Sequence, residues 1–261
     1  MVDFRNIHNK NKGLWCSKKY VYKDGKDKDI LLKKNIIDMF YNYSKKNLHK
    51  FKKIENIKYI NEGISIKSGL AICLFCELLD IDVIIESGVA GGRSSEIFAT
   101  YFKDKNIIHY GLDFTSKDFI PEFGKNHVWV TNKVFKDTCK RLENFNINFI
   151  EGDSFIEIPK IFENNNNFEG HRVLLFIDGP KEDSQIKLLS ELFEKYPNII
   201  LAGCDDVGAN QFSSIYSNVN RKDIFLDFYK SLFVNDDKLF NEIYDIKSEF
   251  NELREENFGF A

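Results

Sequence analysis

The sequence lacks an apolar run long enough to span a bilayer, and its first residues show no export-signal pattern. Cysteines are few, five in 261 residues, and their odd number argues against a disulfide framework. Cys73 and Cys76 form a Cys-x-x-Cys pair inside an apolar helical pattern, with no second pair at zinc spacing. We therefore expect a cytoplasmic chain in which these two cysteines are small core residues.

Charge of one sign does not dominate, but it is unevenly distributed. The formal net charge is −3, yet residues 1–60 carry 16 Lys and Arg against 6 Asp and Glu, and the remainder carries 21 against 34. The basic part is either a solvated, lysine-rich helical face or a rim that attracts an anionic substrate. Because no RNA-binding motif interleaves the lysines, we expect a small-molecule partner, with no nucleic acid and no membrane. Assembly into a homo-oligomer stays open.

Alternating strands and helices set the expected fold class. Units of about 25–35 residues predict an α/β chain with a doubly wound, mostly parallel, Rossmann-like sheet and helices on both faces. Amphipathic patterns over 29–51 add an N-terminal helical extension. We therefore divide the chain into an N-terminal arm with helices, 1–62, and a sheet domain, 63–261. The predicted strands are 83–86, 107–113, 147–153, 172–178, 198–206 and a closing 258–261; the predicted helices include 65–79, 94–102, 132–144, 183–196, 224–233 and 237–256.

The stretch Asp82–Arg93, D-V-I-I-E-S-G-V-A-G-G-R, carries the strongest chemical signal. A buried strand ends at Glu86, three glycines permit a tight turn, and a helix opens at Ser94. Strand, glycine turn and helix N-terminus form the start of a nucleotide-type α/β site. Acids also end the later strands, and these ends line the ligand crevice of an open parallel sheet; for any one acid a helix-cap or turn role is the alternative.

The choice of cofactor depends on charge. Asp113 lies 25 residues after Gly88, near the spacing at which a strand-2 carboxylate meets ribose hydroxyls, which fits NAD and S-adenosylmethionine alike. Ala90 stands where the second glycine of G-x-G-x-x-G would be. Glu86 would repel a pyrophosphate but would accept hydrogen bonds from an amino-acid ammonium group. The electrostatics therefore favour S-adenosylmethionine over NAD.

Three segments together resemble a known family. I-I-E-S-G-V-A-G-G-R-S, L-L-F-I-D-G-P-K at 174–181 and L-A-G-C-D-D-V at 201–207 resemble class I S-adenosylmethionine-dependent methyltransferases. The similarity is greatest to the branch of cephalosporin-hydroxylase-like proteins and macrocin- and mycinamicin-type sugar O-methyltransferases. That branch carries E-x-G-V-A-x-G-G-S, so the glycine and non-glycine positions at 91–94 are permuted here. The resemblance spans about residues 62–210.

The resemblance implies a methyltransferase domain over 63–261 and O-methylation of a small polar acceptor, a sugar or sugar-linked metabolite with or without phosphate. It also implies roles for strand-end residues. The residues at the methionyl end of the cofactor would be Glu86, Gly88, Ala90 and Ser94, with Asp178 nearby. Asp113 would bind the ribose, and Asp153 and Ser154 would lie by the adenine. A divalent metal such as Mg²⁺ would be bound by Asp178, Asp205 and Asp206.

The metal would lower the pKa of an acceptor hydroxyl and orient it. The family often has an acid or His after the strand-4 Asp-Gly, where this chain has Lys181. This lysine is either the general base, with a pKa lowered by desolvation, or a contact for an anionic acceptor. His127, in an aromatic loop expected over the site, is a second catalytic candidate. In the metal-free alternative Asp178 contacts the substrate and the 205–206 acid pair caps a loop.

Two other classes of protein stay open at this stage. One is an NAD-linked oxidoreductase, against which the acid before the glycine turn and the missing middle glycine both argue. The other is a non-catalytic binding protein that keeps the same fold.

Overall fold

The computed structural model describes residues 38–58, 64–115, 132–179 and 195–204, three further helical positions at 188, 191 and 192, and the backbone of two strands near the C-terminus. The elements in chain order are α1 (38–47), a 3-10 helix (Leu48–Lys53), α2 (Ile66–Leu78), β1 (Val83–Ser87), α3 (Arg93–Tyr101), β2 (Ile108–Asp113), α4 (Asn132–Arg141), β3 (Ile147–Glu151), α5 (Ser154–Asn164), a 3-10 turn (Asn166–Phe168), β4 (Val173–Ile177), β5 (Ile199–Cys204), β6 (Leu232–Asn235) and β7 (Asn257–Phe260).

The strands form one seven-stranded sheet in the order β3-β2-β1-β4-β5-β7-β6. Neighbours from β3 to β5 run parallel, whereas β7 is antiparallel to both β5 and β6. The chain proceeds outward from β1 to β3 and then returns to place β4 on the other side of β1. This reversal puts a topological switch point between β1 and β4, where open α/β sheets bind ligands. The predicted doubly wound, mostly parallel sheet is confirmed.

The central strands are apolar because both of their faces are covered. All five residues of β1 and all five of β4 are buried. Ile84 and Phe176 pack with α2 and α3 on one face, while Ile85 and Leu175 pack with α5 on the other. Continuous β-branched and leucine-rich runs are typical of strands buried on both sides. Helices on both faces are therefore confirmed as well.

The described part of the N-terminal extension packs onto the first of these faces. Phe40, Leu48 and Ile54 are buried in the same core as α2. Because α2 lies between this layer and the sheet, its residues from Ile66 to Cys76 are all buried. Cys73 and Cys76 are free and fully enclosed, which confirms that they are core residues. The division at residue 62 stays a prediction, since residues on both sides of it share this core.

One carboxylate ties the extension to the sheet domain. Glu77 Oε2 accepts hydrogen bonds from Lys50 Nζ at 2.6 Å, Tyr101 OH at 2.8 Å and Tyr43 OH at 3.2 Å. Lys105 Nζ lies 3.0 Å from Oε1. Burial alone would raise the pKa of Glu77, but the bonds from the lysines and Tyr101 outweigh it and lower the pKa to about 2. Below, these five residues are called the Glu77 hub.

The C-terminal strands correct one sequence prediction. The helix predicted over 224–233 is wrong at its end, because Leu232–Asn235 form β6. Four residues are too few to show a strand period, and their partner, β7, is far along the chain. The closing strand predicted at 258–261 is confirmed as Asn257–Phe260. The rest of the two predicted C-terminal helices lies outside the described residues. No helix in the described ranges is long and apolar enough to cross a membrane.

Candidate cofactor site

The glycine turn follows β1 and touches the end of β4. Gly88 has φ +92°, and a Cβ built on it would lie 2.6 Å from the backbone nitrogen of Gly179. Ser87 O accepts hydrogen bonds from the N–H groups of Asp178 at 2.7 Å and Gly179 at 3.1 Å. Only glycine permits this approach of the two backbones. The turn and the Asp-Gly of strand 4 thus meet at the switch point between β1 and β4.

Asp113 lies at the end of the neighbouring strand and is joined to the same turn. Its Oδ2 accepts a 2.6 Å hydrogen bond from the N–H of Ala90, and Asp113 is 7% exposed. Burial, with a smaller contribution from the negative charges of Asp178 and Glu86, raises the pKa of Asp113 to about 7. The hydrogen bond from the Ala90 amide acts in the opposite direction but does not outweigh burial. A carboxyl group with a pKa near 7 therefore lies at the strand-end edge of the sheet, beside the glycine turn.

Glu86 is 0% exposed and lies beneath the first turn of α3. One of its oxygens accepts the hydroxyl of Ser94, and the other accepts the hydroxyl of Ser95 at 2.6 Å and lies 3.3 Å from His109 Nε2. Its charge also faces the positive end of the helix dipole. The carboxylate therefore anchors the start of α3 to β1 and β2. Direct contact between Glu86 and a ligand stays a prediction.

The N-terminus of α3 carries no side-chain cap. Its N-cap residue is Gly92, which has φ +77° and no side chain with which to bond the first-turn N–H groups. Ser94 is buried in that first turn and donates to Glu86. An uncapped helix start beside a glycine turn is a site where backbone donors can meet a ligand.

Asp153 and Ser154 are brought to the same edge of the sheet. Asp153 is the N-cap of α5, and its Oδ1 accepts the N–H of Phe155 at 2.8 Å. The Ser154 hydroxyl is hydrogen-bonded to that of Ser87, which in turn donates to Gly179 O. The helix-cap role, which was the alternative for each strand-end acid, is therefore confirmed for Asp153. Proximity of the pair to an adenine ring stays a prediction.

The other predicted residues lie outside the described part of the chain: His127, Lys181, Asp205 and Asp206. Among the described residues, no three His, Cys, Asp or Glu side chains are grouped as metal ligands. Asp178 is the one proposed ligand within these ranges, and its backbone position against Ser87 puts it at the strand-end edge. A site of three carboxylates with Mg²⁺ therefore stays a prediction, as does the role of the two candidate bases.

Several contacts of the site were not predicted from the sequence. His109 follows Ile108 in β2 and is buried on the side of the sheet that holds Glu86; a lone histidine in a buried strand could have indicated a polar partner. Thr138 and Arg141, in α4, hydrogen-bond the carbonyl oxygens of Ala90 and Gly91. The two partners of each contact are 48 and 50 residues apart in the sequence, so no local pattern predicts them.

Comparisons with known proteins place the fold. No family model matches the sequence, and no curated protein matches it by sequence. The structure is similar to that of the O-methyltransferase TomG from Streptomyces achromogenes, solved with S-adenosylmethionine, at TM-score 0.51 and 11% identity over 82% of this chain and 87% of that one. It is also similar to an O-methyltransferase from Bacillus cereus, solved with S-adenosylhomocysteine, at TM-score 0.50 and 12% identity over 81% and 90% of the two chains.

The strand order with its antiparallel seventh strand, together with these two likenesses, identifies the fold. The chain has the fold of the class I S-adenosylmethionine-dependent methyltransferases. The structure is also similar to that of CalS11, a TDP-rhamnose 3'-O-methyltransferase, at TM-score 0.45 and 15% identity over 82% of this chain and 92% of that one. A likeness at that level says nothing about the acceptor of this chain.

Proposed function

We propose that this chain is an S-adenosylmethionine-dependent O-methyltransferase. The observation that carries the proposal is the acidic crevice at the switch point. There the buried carboxylate of Asp113, the glycine turn at 88–92 and the uncapped start of α3 converge within one edge of the sheet. The fold that the chain shares with two O-methyltransferase structures supports the same assignment.

The charges of the crevice suit a cationic ligand better than a pyrophosphate. Three carboxyl groups lie close together here, because the negative charges of Asp178 and Glu86 both raise the pKa of Asp113. A dinucleotide would bring two further negative charges to this point, which costs free energy at low dielectric. S-adenosylmethionine brings a sulfonium and an ammonium group instead. This contrast supports the methyl donor over NAD.

Glu86 acts on the ligand through Ser94 in this proposal. A carboxylate can only accept hydrogen bonds, so the Ser94 hydroxyl donates its hydrogen to Glu86. The lone pairs of the serine oxygen are then left for a donor on the ligand. A ligand ammonium group is such a donor. Glu86 thereby selects for positive charge while it stays beneath α3.

The remaining parts of the cofactor are assigned by position. The ionised carboxylate of Asp113 accepts hydrogen bonds from the two ribose hydroxyls. Phe114 is 67% exposed directly after it, and Ile156 is 53% exposed in the first turn of α5. These are the large hydrophobic side chains most exposed among the described residues, and they offer an apolar surface near Asp153 and Ser154 for the adenine ring.

The transfer itself requires few chemical groups. In-line methyl transfer depends mainly on holding the acceptor oxygen against the methyl carbon. In our proposal Asp178, with Asp205 and Asp206, would hold a divalent metal, which would supply Lewis-acid activation of the acceptor hydroxyl. Lys181 or His127 takes the proton of that hydroxyl.

The acceptor, in this proposal, is a small sugar or sugar-linked metabolite in the cytoplasm, and with a phosphate group it would be attracted by the lysine-rich N-terminal segment. Neither nucleic acid nor a membrane takes part.

Calorimetric titration of the full chain with S-adenosylhomocysteine and, separately, with NADH tests the cofactor. We expect binding of S-adenosylhomocysteine with a dissociation constant on the order of micromolar, and no heat with NADH. The Asp113→Asn variant should bind more weakly. Asp82→Asn is the matched control, because Asp82 is half-exposed at the opposite end of β1. Binding of NADH without S-adenosylhomocysteine would overturn the proposal in favour of an oxidoreductase.

A further inference from the structure

Helix α4 contacts the outer side of the glycine turn through two side chains. Thr138 Oγ1 donates a 3.1 Å hydrogen bond to the carbonyl oxygen of Ala90. Arg141 Nη2 donates a 2.7 Å hydrogen bond to the carbonyl oxygen of Gly91, while its Nη1 pairs with Glu96 in the first turn of α3. Two consecutive carbonyl groups of the turn are therefore bound by one helix.

The same helix packs directly against the backbone of the turn. A Cβ built on Gly92 would lie 2.4 Å from Thr138 Cγ2, 3.0 Å from Leu142 Cδ1 and 3.1 Å from Arg141 Nη2. No side chain larger than hydrogen fits between the turn and α4 at this position. The position of α4 thus limits where the backbone of residues 90–92 can lie.

Ala90 explains why such support is needed. It has φ +45°, a left-handed conformation that an alanine adopts only when its surroundings impose it. Its N–H is fixed by Asp113, and its carbonyl is fixed by Thr138. Since a trans peptide is planar, a carbonyl held toward α4 turns the N–H of Gly91 away from that helix. Thr138 therefore sets the direction in which a donor of the turn faces.

We propose that Thr138 and Arg141 are positioning residues for the cofactor turn. They touch no ligand and act through the carbonyl groups of Ala90 and Gly91, which they hold so that the turn is formed before the cofactor arrives. A preformed turn binds more tightly because ordering it costs nothing at the moment of binding. This inference rests on the proposed function, since it assigns the two residues to the same S-adenosylmethionine site.

A matched pair at Thr138 tests the hydrogen bond alone. Thr138→Val removes the hydroxyl and keeps the shape, whereas Thr138→Ser keeps the hydroxyl. Titration with S-adenosylhomocysteine should give a dissociation constant about fivefold higher for the valine variant, the usual effect of one lost hydrogen bond, and a value within about twofold of wild type for the serine variant. Thermal melts without ligand measure the stability of both.

A second pair keeps the test decisive if the valine variant fails to fold. Arg141 has a side chain that is 37% exposed, so Arg141→Met should fold and still bind about fivefold more weakly. Glu96→Gln is its control, because it weakens the ion pair and leaves the bond to Gly91. Equal affinity across the set, or affinity that follows the melting temperature alone, would overturn the inference while wild-type binding upholds the proposed function. No binding by the wild type would overturn both.

Discussion

The backbone amide of Ala90 donates a 2.6 Å hydrogen bond to Oδ2 of Asp113, which joins the glycine turn after β1 to the end of β2. The same carboxyl group is the proposed ribose ligand. Because burial and the nearby charges of Asp178 and Glu86 raise its pKa to about 7, a large share of the free protein carries a neutral Asp113 at neutral pH. The two partners thus couple the shape of the turn to the protonation of one acid.

Cofactor binding should therefore depend on pH. If the ionised form binds, the dissociation constant for S-adenosylhomocysteine should fall about tenfold between pH 6 and pH 8, as the ionised fraction of Asp113 rises. Calorimetry across this range measures the effect. Asp113→Asn should bind weakly and with no such dependence; the same slope in the variant would assign the titration to another group.

The stability of the ligand-free protein should change in the opposite direction. The pKa of Asp113 is raised from its usual 3.8 to about 7 in the folded state, so its contribution is fully present below about pH 4 and is lost as the pH rises through 7. Melting temperatures measured from pH 4 to pH 8 should show this decline relative to Asp113→Asn, which cannot ionise. A constant difference between the two proteins over the range would contradict it.

Gly88→Ala should destabilise the protein and weaken cofactor binding more than Gly170→Ala does. The new Cβ would lie 2.6 Å from the Gly179 nitrogen at φ +92°. We expect a loss of about 3 kcal/mol in unfolding free energy and at least about tenfold weaker cofactor binding. Gly170→Ala is the matched control, since it has φ +81° with nothing within 4 Å; it should lose only about 1 kcal/mol. Equal losses of unfolding free energy for the two variants in urea would contradict the steric explanation for Gly88.

Glu77→Gln should loosen the N-terminal extension without changing cofactor affinity. Loss of the charge weakens the Glu77 hub and should cost about 2 kcal/mol at pH 7. Because the pKa of Glu77 is lowered from 4.5 to about 2, the difference from wild type should be full above pH 4.5 and shrink toward pH 2. Glu163→Gln, in the exposed pair with Lys195, should leave urea unfolding unchanged.

Cys73 and Cys76 should resist alkylation in the native protein. Both are fully buried, and burial raises the pKa of each thiol well above its ordinary value, so the reactive thiolate is scarce. Iodoacetamide labelling at pH 8, followed by mass spectrometry, should modify the half-buried Cys139 before either core cysteine. The two core cysteines should react only after urea is added. Native labelling of Cys73 at the rate of Cys139 would contradict their core position.

The parts of the fold that the sequence predicts are those with local signals. β1 and β4 are continuous apolar runs, and their bounds in the structure differ from the predicted ones by one residue. The acids at 86, 113 and 178 converge because parallel strands end at one edge of the sheet. By contrast, β6 has four residues and pairs only with β7 among the described strands, so no local pattern could reveal it.

The contacts around the site were harder to foresee for the same reason. That His109 lies against Glu86 depends on how β2 aligns with β1, where Ile84 pairs with His109. The contact of Arg141 with Gly91 depends on where α4 packs. Residue types predict chemistry at a strand end, but partners from distant elements decide which atoms remain for a ligand.

The place of β7 has a consequence for synthesis on the ribosome. It lies between β5 and β6, although it is the last of the described strands in chain order. Until residues 257–260 leave the exit tunnel, β5 and β6 both lack the strand that lies between them in the described sheet. Among the described strands, β6 can therefore join the sheet only after β7 has been synthesised.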